Sequence, residues 1–488
     1  MAKVPADKQA IFESMPIPKA LATLAIPTII SQMISVIYNM VDAFYIGRTG
    51  NPYMMAATNL SMPIMLLNIA FSNLFGVGGG SLIARLMGEK NTAQAKSVSA
   101  FSAYGAGLIA IIYSALIGLF LDPVLRFLGA SDQTIPFARQ YTLYVVVIGC
   151  IFSTISMSLA FLLRNTGYST QASIGLSGGG ILNMVLDPLF MFVILPKGME
   201  VTGAAVATLI SNAAACTYMV ITVVRLSKKS VLSADPREIR NIGKKELKEL
   251  FSVGVPSAIL TGLFDIANVF LNALMSAYGD LQLAAIGIVA KIERLPNAIC
   301  IGICQGMMPL VAYNFASGNH KRMNEVIKTT RILGVCISLG CLALFQIIAP
   351  WLCKAFLSVK NGGDPEAAAV TLVFAETFLR IRVCASVFQF FNYSGSFTMQ
   401  GVGYGFGTLL HAVVRIVVLY IPFMYLFSWL FQENGLAMAL VAGEALGAVF
   451  VLLLFRRWKK KHLNLFTEEV PGSGPEPEVF EQDGGLSK

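Results

Sequence analysis

The chain is poor in charge. Asp, Glu, Lys and Arg make up 13% of its 488 residues, while 56% are hydrophobic. A soluble chain of this size carries about 25% charged residues, so a fully water-facing surface is excluded. Histidine is scarcer still, with only His320, His411 and His462. They stand far apart, and no pair of Cys-x-x-Cys motifs accompanies them, so neither a zinc cluster nor a nucleophile–base constellation can be read. The chain is therefore not expected to be an enzyme or to hold a cofactor. Gly76, Gly78, Gly79 and Gly80 lack the Lys-Ser/Thr pair of a nucleotide loop, which leaves no ATP motor. The first 19 residues lack the apolar core of a cleaved leader, and the first apolar run is expected to act as an uncleaved signal-anchor. All eight cysteines except Cys353 fall in apolar runs, where cysteine packs as a small apolar group; no disulfide is expected.

What fills the chain is apolar runs long enough to cross a bilayer of about 30 Å. Twelve spans are predicted: 20–46, 55–83, 97–121, 138–162, 172–195 and 202–225, then 250–277, 283–312, 329–350, 371–399, 407–430 and 434–455. Residues 1–19 form a polar amino-terminal segment, 226–249 a charged linker, and 456–488 a tail read as disordered from its basic, then acidic and Pro/Gly-rich composition. Lys and Arg concentrate at the termini and at the even-numbered connections. By the positive-inside rule both ends should be cytoplasmic, in a multi-pass protein of the cell membrane. The net charge of +9 then needs no nucleic acid. The run Arg456, Arg457, Lys459, Lys460, Lys461 reads as a cytoplasmic anchor at the end of the last helix, with recognition of anionic membrane lipids the second reading.

The two halves match at a nearly fixed offset. Ile26-Pro27 answers Val255-Pro256, Asn39 answers Asn268, Gly76 and Gly88 answer Gly306 and Gly318, and Gly167-Tyr168 answers Gly403-Tyr404. A six-span repeat keeps both copies in the same orientation, so their pseudo-two-fold axis lies along the membrane normal. The predicted fold is thus all-α and integral to the membrane: two six-helix bundles, 20–225 and 250–455, facing a central cleft. The copies differ chemically. Asp42 and Asp187 lie deep in spans of the first half, and Leu271 and Ile421 hold the matching positions in the second. A carboxylate at that depth costs about 2.5–3.5 kcal/mol on insertion scales, so these two need a partner, a cavity or an ion.

The chain resembles the multidrug and toxic compound extrusion (MATE) family, and most closely its MepA-like bacterial branch. The resemblance rests on Tyr38-Asn39-Met40-Val41-Asp42 in span 1, Leu60-Ser61-Met62-Pro63 in span 2, and Gly76 through Arg85-Leu86-Met87-Gly88 at the span 2–3 junction. It continues in Asn183-Met184-Val185-Leu186-Asp187-Pro188 of span 5 and Gly203-Ala204-Ala205-Val206-Ala207-Thr208 of span 6. It covers residues 15 to 455. It implies export of organic cations and amphiphilic drugs by a rocking-lobe antiporter driven by inward H+ or Na+, acting as a monomer. It also implies that Asp42, Asn183, Asp187 and Thr208 form a cation site. The residues agree with that. Asn183 and Asp187 share a helix face, the set is rich in hard oxygen donors, and two neighbouring carboxylates cannot both ionise cheaply, so one keeps a proton. Nothing in the set chooses between sodium and the proton. The other reading is a flippase for lipid-linked sugars. It fits less well, because such chains usually carry fourteen spans and a more basic cleft.

Further candidates are Asp265 and Glu376 for coupling in the second lobe, although Glu376 and Arg380 are spaced to satisfy each other. Lys291, Glu293 and Arg294 read as a cluster that neutralises itself. His411 reads as a buried, satisfied histidine. Tyr38, Met33, Met62, Phe388, Phe391 and Tyr393 are candidates for a drug-binding lining of aromatic and methionine side chains. Pro27 removes a backbone donor early in span 1 and is a candidate hinge.

Overall fold

A computed structural model of the chain describes residues 6–357 and 365–468, and secondary structure within them is helical throughout. Twelve helices cross the apolar layer. The first lobe holds α1 (Ile17–Arg48), α2 (Pro52–Gly88), α3 (Thr92–Leu119), α4 (Ile135–Asn165), α5 (Ser169–Ile194) and α6 (Glu200–Leu226). The second holds α7 (Lys244–Ser276), α8 (Asp280–Ala316) and α9 (His320–Leu357). It is completed by α10 (Pro365–Val383 and Ser386–Gly401), α11 (405–431) and α12 (433–468), the last two separated by a kink at Gln432. Two smaller elements lie before the first helix of each lobe. They are an amino-terminal helix, Ala6–Glu13, and a 3-10 turn in the linker, Pro236–Asn241.

Most helices run longer than the apolar stretches predict, and α2 and α3 begin in capped polar turns. Asn51 accepts from the Tyr53 amide at the start of α2, and Asn91 accepts from the Gln94 amide at the start of α3. Three expectations need correcting. Span 10 is broken at Cys384 and Ala385. Helix α7 begins inside the charged linker, at Lys244. Residues 456–468 are helical rather than disordered, because the extension of α12 is amphipathic. Trp458 stacks on Phe455, Tyr404 and His462 and meets Phe315, while the basic residues of the run face outward. Residues 469–488 lie outside the described residues.

The lobes meet close to the face that bears the amino-terminal helix and the end of α12, the terminal face. There α2 crosses α7 with backbones nearly touching: a methyl on Gly78 would stand 2.6 Å from the Leu250 carbonyl oxygen, and Gly254 leaves no room for one against the Leu74 carbonyl. Helix α8 crosses α1 likewise, Gly306 lying against Ala25 and Gly302 against Ile29. Small residues at crossings permit this close approach in an apolar medium, where packing rather than water exclusion holds helices together. Val77, Phe161, Val253 and Met308 pack into a floor, with Met157 and Phe397 against it. Above that floor the lobes diverge. Residues 81–88 and 302–314 are buried, whereas the opposite ends of α1, α2 and α7 are largely half-exposed or exposed. Among the described residues, α1, α2 and α7 are therefore packed most tightly toward the terminal face.

Candidate functional site

Helix α5 presents Gly180, Asn183 and Asp187 along one stripe. Gly180 is what brings α1 close. A side chain there would meet the Tyr38 ring at 3.0 Å and Ile34 at 3.2 Å, so its absence seats Tyr38 against α5. Asp42 follows Tyr38 by one helical turn and lies within electrostatic range of Asp187. Past Asp187, Pro188 interrupts the α-helical ladder and the chain widens into a π-helix at Phe190–Ile194. Gly203 at the start of α6 packs on that bulge, its missing side chain sparing a 2.8 Å clash with the Phe190 and Met191 backbone. That contact sets α6 so that Thr208 reaches α5. π-Bulges recur at functional sites.

Asn183 Nδ2 donates to Asp187 Oδ1 at 3.0 Å and to Thr208 Oγ1 at 3.3 Å. Asp187 is fully buried, and Asn183 is 3% exposed. The hydrogen bonding then stops short. Asp42 Oδ1, Asp187 Oδ2 and Asn183 Oδ1 are buried acceptors with no donor. Among the described residues neither acid makes an ion pair. A buried polar atom left unsatisfied costs about 1–3 kcal/mol, and more if charged. Three acceptor oxygens in a lobe with no nearby basic partner suit a small cation or a proton, either of which would supply the missing positive charge. Sequence reasoning missed two contributors. Gly180 carries no functional group and shows its part only once α1 is docked. Tyr141 of α4, 5% exposed, lies within electrostatic range of both acids, and only tertiary proximity reveals it.

The second lobe resolves its charges differently. Arg415 Nε and Nη2 grip Glu444 at 2.9 and 2.6 Å, at relative exposures of 2% and 4%. Asn392 Nδ2 donates to Glu444 Oε2 at 2.6 Å. His411 bonds Asn392 Oδ1 through Nε2 and Ser396 Oγ through Nδ1, each at 3.0 Å, which makes it a buried histidine with both nitrogens occupied. A second fork joins Arg382 to Glu293 at 2.8 to 3.1 Å. Glu293 is thus paired across to α10, beyond the α8 cluster of Lys291 and Arg294. Charged neighbours on one exposed helix face do not satisfy a buried carboxylate, whereas a bidentate guanidinium does.

Asp265 and Glu376 each have a basic neighbour. Glu376 takes Arg380 Nη2 at 2.8 Å, and Asp265 feels the charge of Arg294. Of the drug-lining candidates, Tyr38 sits with the first-lobe acids, and Met33 and Phe391 are half-buried. Met62 and Phe388 are exposed. Tyr393 already has a protein cation on its ring. The Arg415 guanidinium lies 5.3 Å from its centroid and 4.6 Å from that of Phe264. Pro27 lies well inside α1 rather than in its opening turns.

Comparison with known proteins agrees with this architecture. The MatE family model matches residues 27–189 and 256–426, one match in each lobe. The chain is 29% identical over 448 residues to the multidrug export protein MepA of Staphylococcus saprophyticus, covering 91% of this chain and 95% of that one. It is 30% identical over 444 residues to MepA of Staphylococcus aureus, covering 91% and 94%. Among solved structures, a MATE protein in complex with MaL6 aligns with a TM-score of 0.87 at 22% identity, covering 95% of this chain and 100% of the other. An outward-facing multidrug resistance transporter of the MATE family aligns at 0.86 and 22%, covering 96% and 100%.

Proposed function

The chain belongs to the MatE family of multidrug efflux transporters, and from that membership we propose that it is a cation-coupled antiporter whose ion is carried by Asp42 and Asp187. The observation behind this is the trio of donor-less buried oxygens on Asp42, Asp187 and Asn183. The proposed cycle starts with the tightly packed terminal face closed. With the cleft open away from the terminal face, an ion enters the first lobe and neutralises the acids. That removes the repulsion between them and changes the packing of α1 on α5. The lobes then rock, and the ion leaves on the other side. The distribution of Lys and Arg assigns the terminal face to the cytoplasm, so the open cleft faces outward. Organic cations and amphiphilic drugs are the proposed cargo, and Met33 and Phe391 remain in the proposed lining. H+ and Na+ both fit the site.

The energetics bound the stoichiometry. One proton moving through one pH unit and 100 mV releases about 3.7 kcal/mol, enough for a roughly 500-fold gradient of a neutral drug. A monovalent cation leaving against the same potential uses about 2.3 kcal/mol of that. Strong export of cations thus needs more than one ion per cycle, and two acids supply the capacity. The test is dye efflux from inverted and right-side-out vesicles with pH and sodium gradients imposed separately, for wild type, Asp42→Asn and Asp187→Asn. The reading expects both variants to lose gradient-driven efflux. Export by both at the wild-type rate would refute it.

A further inference from the structure

The amino-terminal helix is docked across the lobe boundary. Phe12, fully buried, stacks on Tyr313 of α8 with centroids 5.0 Å apart. Tyr313 Oη donates to Glu13 Oε1 at 2.5 Å, and Asn314 Nδ2 donates to the Phe12 carbonyl at 3.2 Å. Arg322 of α9 closes the helix end. Its Nε donates to the Phe12 carbonyl at 2.8 Å, and its Nη2 to the carbonyls of Met15 at 2.6 Å and Ile11 at 3.4 Å. These partners belong to the second lobe. On the first lobe, Phe12 lies over Gly167, where a side chain would meet its ring at 3.3 Å, and Lys8 Nζ stands 5.1 Å from the centre of the Tyr168 ring.

The internal repeat places a matching contact in each lobe. Asn91 and Asn319 are the matching residues before α3 and α9, and each accepts from the amide three residues on, Gln94 and Arg322. Those two side chains do the same job in opposite lobes. Gln94 Nε2 donates to the carbonyl of Asn241, in the linker turn before α7, at 3.1 Å. Arg322 donates to the carbonyl of Phe12, in the helix before α1. Each lobe's third helix therefore holds the segment that leads into the other lobe's first helix. The two straps differ in one respect. The helix-end carbonyls of the amino-terminal strap take three guanidinium contacts, whereas the linker turn's last carbonyl takes one side-chain amide.

We propose that the amino-terminal helix is a detachable clasp that holds the lobes closed on the terminal face, and that the cleft opens to that face only when the helix lets go of Tyr313, Asn314 and Arg322. The proposal rests on the rocking-lobe reading. It names a regulator of that motion which touches neither the first-lobe acids nor the drug lining.

The test is a distance measurement by double electron–electron resonance, made without drug or ion gradient. Spin labels go on Thr170→Cys and Lys328→Cys, both exposed and one in each lobe, with the exposed native Cys336 and Cys384 replaced by serine. The full-length protein should give one short distance. Arg322→Ala and Phe12→Ala should each add a longer-distance population, raising the open-to-closed ratio roughly tenfold, about 1.4 kcal/mol. Arg322→Gln, which copies Gln94 and keeps a single donor, should fall between. An unchanged distribution in both alanine variants overturns the proposal. So does loss of the folded species in both, because the helix would then be a structural prop. The labels report lobe separation whatever the ion or cargo, so failed efflux and a failed clasp are distinguishable.

Discussion

Asn183 and Asp187 face the same way on α5, 3.0 Å apart, and the amide spends its donor capacity on Asp187 and Thr208. Among the described residues, Asp187 Oδ2 and Asp42 Oδ1 have no donor. Among the described residues the first lobe thus keeps two acids without an ion-pair partner, while the second pairs two buried glutamates with arginines in bidentate forks. An ion-coupled machine needs one place where a charge comes and goes, and elsewhere charges that stay put.

Asp187→Asn should raise stability while removing function. The amide keeps the shape and removes an uncompensated carboxylate, so thermal unfolding in detergent should show a gain of about 1–3 kcal/mol. Gradient-driven efflux should fall at least tenfold. A destabilised protein would mean that Asp187 is a structural acceptor with an undetected partner.

Gly180→Val should uncouple transport without touching a polar group. Branched carbons at a position already 3.0 Å from the Tyr38 ring push α1 off α5, at a cost of about 1–3 kcal/mol. Efflux should fall as far as in Asp42→Asn. Efflux at the wild-type rate would show that the α1–α5 seat is not part of the coupling.

The Arg415–Glu444 fork should behave as a fixed support. Glu444→Leu alone leaves a buried guanidinium unpaired and should cost about 3–5 kcal/mol. Adding Arg415→Met should recover most of that loss. A double-mutant cycle on thermal stability measures it, and the double variant's efflux should keep its wild-type dependence on the imposed ion gradient. A changed ion dependence would move coupling into the second lobe.

The clasp should be insensitive to pH across the working range. The Tyr313 hydroxyl, then Gln9, with the charge of Lys90 adding to both, holds the Glu13 carboxyl below its ordinary 4.5. A depressed carboxylate contributes stability above its ordinary value and loses it as pH falls through the lowered one. Label distances should therefore agree at pH 8 and roughly pH 5.5, and Glu13→Gln should lengthen them at both. A wild-type clasp that opens between those values would require a titrating group other than Glu13.

Much of this architecture is legible in the sequence. The apolar runs, the repeat and the spacing of Asn183 and Asp187 follow from composition and helical period alone. The rest depends on tertiary choice. Glu293 has Lys291 and Arg294 close by in sequence, yet takes Arg382 from another helix, because a buried carboxylate selects the partner that can be buried with it. The amino-terminal segment reads as polar, but Ile11 and Phe12 are too few to signal a docked helix until Tyr313 and Arg322 stand beside them. The break at Cys384 and Ala385 has no proline or glycine to announce it. Tyr393 reads as a ligand for drug cations, and only the folded lobe shows Arg415 already on its ring.

The most direct measurement is ion release on drug binding. Purified protein in weakly buffered detergent solution, or loaded with radioactive sodium, is mixed with a cationic dye while pH or bound sodium is followed. The account predicts stoichiometric release of a proton or of sodium from wild type, and none from an Asp42→Asn, Asp187→Asn double variant that still binds the dye. Dye binding that releases neither ion from wild type, or releases it equally from the double variant, would contradict the account.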